Sequence, residues 1–149
     1  MSLTPILLLT LVLSSCSLSP PKIHKVVSEE TQLGPEGLTI TSEKALEAPN
    51  YVNILCLELP EGYELSTDDW RIKAPGGKSI DFGGELILTV GRVLALSQKS
   101  GLNLTPCLSP ETDQLERERQ RPDFAISKVR VWTSEPLRVK QIIWHSTDK

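Results

Sequence analysis

Few residues in this chain have the types and spacing that catalysis needs. Nucleophilic chemistry requires a serine or cysteine, a base beside it, and a group that orients the base. Serines are plentiful, but no Gly-x-Ser-x-Gly elbow occurs, and the two histidines, His24 and His145, stand near opposite ends of the sequence. His145, between Trp144 and Ser146, reads as an ordinary strand histidine. Asp68, Asp69 and Asp81 would make an acid/base pair if a hairpin brought them together, yet solvated turn carboxylates explain them more simply. Gly76-Gly77 and Gly83-Gly84 lack the Lys-Ser/Thr of a phosphate loop and read as turns. With no Cys-x-x-Cys and two histidines, the sequence has no metal-ligand spacing. It therefore predicts no enzyme, no cofactor and no metal site.

Binding chemistry is better represented. Trp70, Trp132 and Trp144 each fall in a predicted strand, where anchoring a core is the ordinary role of an indole. Trp132 differs, because strand alternation sets it with Lys128 and Arg130, opposite Val129 and Val131. An exposed indole beside arginine stacks on a sugar ring or anchors a protein interface. A second candidate group is Arg117, Arg119 and Arg121. They end a stretch, 111–121, that carries both signs of charge around the single apolar Leu115 and suits a polar rim. The binding candidates are therefore Trp132, Arg130, Arg117, Arg119 and Arg121. A formal net charge of -3 without basic clusters argues against a nucleic-acid partner.

Residues 1–16 carry an address. Leu3 to Leu13 is an apolar run of about a dozen residues, the length of a signal-peptide core and short of the ~20 that span a bilayer. It ends in Leu13-Ser14-Ser15-Cys16, which resembles the lipobox of bacterial lipoproteins: a leucine, two small residues, then the cysteine that is acylated. The resemblance implies a signal peptide over 1–15, lipid on Cys16, and a Ser/Pro-rich tether over 16–21. Ser17 after the cysteine implies delivery to the outer membrane, facing the periplasm. Removing residues 1–15 from 149 leaves 134, enough for one domain over 22–149. In that oxidising compartment Cys56 and Cys107 remain as an even pair, and a disulfide is the default over two buried thiols.

The elements that must position these groups are strands. Prolines and glycines are spread among short apolar runs, which favours an all-β domain. Strands are expected at 22–27 (an edge), 38–41, 51–59 (central, apolar on both faces), 69–74, 79–82, 126–133 and 137–145. Trp70, Ile72 and Ala74 are expected to point inward, and Pro75 to Lys78 to form a hairpin. Residues 85–97 read as a strand broken or bulged at Gly91, or as a strand passing into a helical turn. Residues 102–108, interrupted by Pro106, read as a near-edge strand. A helical turn is expected at 42–48. A short surface helix or loop is expected near 110–121, capped by Ser109, with acids first and arginines last. A bulge near Lys140-Gln141 would turn Ile142 and Trp144 inward. These pieces make an antiparallel β-sandwich. Cys56 and Cys107 suggest the immunoglobulin-like version, bridging two sheets.

Two functions fit a tethered domain of this kind: a structural or protein-interaction module of the envelope, or a module that binds cell-wall glycan or sugar. The first expects an envelope protein as partner beside the membrane that holds the lipid; other small-molecule ligands are not expected.

Overall fold

The computed structural model describes residues 22–41, 54–89 and 91–147. The predicted signal peptide, tether and 42–48 turn lie outside them. The strands are β1 (Lys22–Ser28), β2 (Thr31–Leu33), β3 (Leu38–Thr41), β4 (Leu55–Glu58), β5 (Glu64–Ser66), β6 (Arg71–Lys73) and β7 (Ser79–Ile80), then β8 (Phe82–Leu88), β9 (Val93–Ser100), β10 (Pro106–Ser109), β11 (Ile126–Thr133), β12 (Leu137–Val139) and β13 (Gln141–Thr147). A single α-helix among the described residues, α1 (Thr112–Arg119), lies between β10 and β11. Eight strands form one sheet in the order β1-β13-β4-β10-β9-β8-β11-β3, and β12-β2 and β5-β6-β7 form two small sheets. Every pairing is antiparallel. The long sheet curls, which makes the domain mainly β and sandwich-like.

Alternation explains most of the core. Val129, Val131 and Thr133 of β11 point inward with Leu86 and Leu88 of β8 and Leu94 and Leu96 of β9. β4 is central, and Ile54, Leu55, Cys56 and Leu57 are buried on both faces, as an apolar run without alternation requires. Leu137 and Val139 are buried, then Ile142 and Trp144. The parity changes at Lys140, where β12 leaves the sheet it shares with β2 and β13 joins β4. The hairpin at 75–78 forms around Gly76 and Gly77, both near φ +93°, with the Ala74 N–H bonded to Lys78 O at 2.8 Å. Gly91, at φ 83°, lies in the turn between β8 and β9, so the described residues of 85–97 belong to two strands, with no helical turn among them.

Five expectations are corrected. Gly83-Gly84 is no turn but the interior of β8: a Cβ on Gly83 would lie 2.6 Å from the Trp132 ring, and one on Gly84 2.6 Å from Arg130 O. These glycines admit a neighbouring strand's side chain and backbone. Pro106 opens β10, which is central, because the first residue of a strand can forgo its N–H. Trp70 does not point inward; it closes the turn before β6 and is exposed. Ser109 is the buried last residue of β10, and the helix cap is Glu111, without a side-chain hydrogen bond. Cys56 and Cys107 are bonded, but as directly opposed residues of paired strands, Cα–Cα 4.0 Å, within one sheet. The sheet-to-sheet staple of the immunoglobulin-like version is not what they form. β2 lies in the polar stretch 28–37, where no strand was expected; one buried residue, Leu33, secures it against β12.

Candidate binding surfaces

β11 runs between β3 and β8 and turns Lys128, Arg130 and Trp132 outward, all half-buried. Two of these long side chains lie against glycine. The Trp132 indole covers Gly83, its register partner, and the Arg130 guanidinium packs over Gly37, where a Cβ would come within 2.9 Å. Arg130 Nη2 also donates to Glu36 O at 2.8 Å. Trp132 is thus neither a core anchor nor a free side chain; it is a fixed indole on an outer face. Across β8 and β9 the same face continues through Glu85 and Ile87 to the exposed Ala95 and Val93. The result is one sheet face, apolar along β9 and charged along β11.

The three helix arginines are placed differently. Arg117 is exposed. Arg119 lies 3.4 Å from Glu116, and Arg121 Nε lies 3.3 Å from Glu118 Oε1. Glu118 is the anchor: its side chain is 5% exposed, and its Oε2 accepts a 2.6 Å bond from Arg92 Nη2. With Leu115 it holds α1 to the domain, so the helix is fixed more firmly than one apolar residue suggests. α1 leads into β11 at Ile126, six positions from Trp132, which is about 20 Å along a strand. The structure therefore does not bring Arg117, Arg119 and Arg121 together with Arg130 and Trp132.

The carboxylates near the first hairpin are structural. Arg71 Nε donates to Asp81 Oδ1 at 2.6 Å, and Lys73 Nζ donates to Asp69 Oδ2 at 2.7 Å. Lys73, and after it hydrogen bonds from Ser66 and the Arg71 N–H, hold the Asp69 carboxyl below its usual range. Both acids are committed to ion pairs, so they do not form an acid/base couple. The two histidine positions are paired in a way the sequence does not disclose: His24 and His145 are register partners on β1 and β13. Two imidazoles are short of a metal site, and no group of three or more His, Cys, Asp or Glu able to hold a metal occurs among the described residues. Trp144 is a core residue.

No helix among the described residues is long and apolar enough to cross a membrane. No protein family, characterised protein or solved structure matches the chain.

Proposed function

We propose that the chain is a lipid-anchored protein-interaction module of the bacterial cell envelope, acylated at Cys16, held at the outer membrane and facing the periplasm. It works by docking an envelope protein rather than by chemistry. The observation that carries the docking reading is the outer face of β11, where Trp132 and Arg130 lie over Gly83 and Gly37, with exposed Ala95 and Val93 two strands away on the same face. Indole and guanidinium are the groups that dominate protein interfaces when they are pre-positioned. The anchor rests on the Leu13-Ser14-Ser15-Cys16 ending alone. A photo-crosslinking residue at Ala95, in chain extracted from its native envelope, is expected to capture one defined protein. Trp132→Ala should weaken that complex about 30-fold or more, some 2 kcal/mol, in a chain that still folds. Absence of any captured partner, or an undiminished complex in the Trp132→Ala chain, overturns the docking reading. Mass spectrometry that finds a mature N-terminus other than acylated Cys16 overturns the anchor.

A further inference from the structure

Trp70 occupies the position in its turn where a side chain is least expected. It ends the turn at 67–70 between β5 and β6 with φ 55°, the left-handed region that glycine or asparagine normally fills in hairpin loops. A bulky aromatic there is strained, and such strain persists where the surroundings over-determine it. Here they do. Asp69, on one side, is held by Lys73, by Ser66 and by the N–H of Arg71. Arg71, on the other, is fixed by two bonds to Asp81, at 2.6 and 3.4 Å. Asp81 is tied in turn to Ser134 by two 2.8 Å hydrogen bonds. Trp70 thus stands 39% exposed, flanked in the chain by two ion-paired residues, Asp69 and Arg71.

We infer that Trp70 is the stacking platform of a saccharide site, with Asp68, Asp69 and Arg71 as its polar partners, separate from the β11 face. The ligand class follows from the residues that flank Trp70 in the chain. A protein interface needs an apolar centre of several residues. The other exposed large hydrophobics among the described residues, Val93 and Leu104, lie in other segments. A single exposed indole whose chain neighbours are charged suits a ligand that stacks one ring and offers hydroxyls to carboxylate and guanidinium. Charge narrows the class further. Glu64, Asp68, Asp69 and Asp81 outnumber Arg71 and Lys73 here, so a neutral glycan is favoured over an anionic one.

The test titrates the full chain with neutral tetrasaccharides of glucose and of N-acetylglucosamine, and with an acidic uronic-acid tetramer, following tryptophan fluorescence and amide shifts. Saturable binding of a neutral tetramer is expected, with a blue shift, and at least tenfold weaker binding of the acidic one. Trp70→Gly should abolish binding without lowering the melting temperature, since glycine relieves the backbone. Trp70→Phe should weaken binding several-fold but keep it. No saturable binding to either neutral tetramer, or equal binding by the Trp70→Gly chain, overturns the site. So does a preference for vesicles or for a protein that Trp70→Gly removes. A lower melting temperature in Trp70→Gly would instead make Trp70 a structural residue and also overturn it. Because Trp132 is untouched throughout, none of these results bears on the docking reading.

Discussion

Gly83 has no side chain, and Trp132 lies against its backbone. A methyl group at Gly83 would stand 2.6 Å from Trp132 Cζ2 and 2.9 Å from Cε2, well inside contact distance, so the indole must move. Gly83→Ala should therefore cost roughly 1–3 kcal/mol, the usual range for forced repacking. It should also shift the Trp132 emission, read by denaturation and by fluorescence. An unchanged stability and spectrum would mean that the indole does not rest there. Gly84→Ala should be worse, because the atom 2.6 Å away is the Arg130 carbonyl, which cannot rotate aside. Asp69 allows a prediction of pH dependence. Its folded-state carboxyl lies below the ordinary 3.8, chiefly because Lys73 donates to it. A depressed carboxylate contributes stability above its unfolded-state value and loses it as pH falls through the folded-state one. NMR of the carboxyl carbon should give a midpoint below 3.8, and Lys73→Gln or high salt should raise it toward that value. A midpoint at or above 3.8 in the unaltered chain refutes the pairing.

Whole elements follow the alternation of apolar residues wherever one face is buried, and depart from it where a single contact decides. β11 was legible because Val129 and Val131 alternate with Lys128 and Arg130; β4 was legible because it does not alternate at all. The break at Gly91, the hairpin at Gly76-Gly77 and the parity change at Lys140 were each visible in composition. Gly83-Gly84 was not, since a glycine pair in a strand resembles a turn until one knows what lies over it. Pro106 misled for a related reason: a proline can open a central strand as easily as lie at an edge. Of the candidate sites, the outward face of Trp132 and Arg130 was legible. Trp70 was hidden, because three alternating residues before a hairpin look like a strand and backbone handedness leaves no mark on sequence. α1 shows the same limit. The charge order predicts its span, but nothing in the sequence marks Glu118, rather than another acid, as buried. Glu118→Ala removes the common partner of Arg92 and Arg121. Both arginines are about half exposed and regain water, so the cost should be roughly 1–2 kcal/mol rather than that of a fully buried pair. Hydrogen exchange should show the α1 amides losing protection first. Equal protection in the two chains would show that Leu115 alone secures the helix.

At the scale of the molecule, two links set how the domain holds and faces. The Cys56–Cys107 bond joins adjacent central strands across a sequence separation of 51. Closing a loop of that length is worth about 4 kcal/mol in the chain-entropy account, a large share of a domain's usual ~5–15. A Cys56→Ala, Cys107→Ala chain should therefore lose about 2–4 kcal/mol in urea unfolding while keeping its strand signal; an undiminished midpoint would contradict this. The second would be the tether of the proposed anchor. Lys22 pairs with Thr147, at the end of the sheet where β4 begins. Trp70 lies at the other end, since its neighbour Arg71 holds Asp81, which adjoins the start of β8 opposite Thr133. The two ends are separated by about 20 Å of strand or more. Residues 16–21, even fully extended, reach only about 20 Å. An anchor at Cys16 would then set the Lys22 end toward the bilayer and carry Trp70 away from it. In lipidated chain bound to vesicles, acrylamide in the water should quench the Trp70 signal, taken as the difference from a Trp70→Phe chain. Nitroxide-labelled lipid should leave that signal unchanged. Quenching of Trp70 by the labelled bilayer would mean that the domain lies on its other end, with Trp70 in the membrane interface and closed to a glycan.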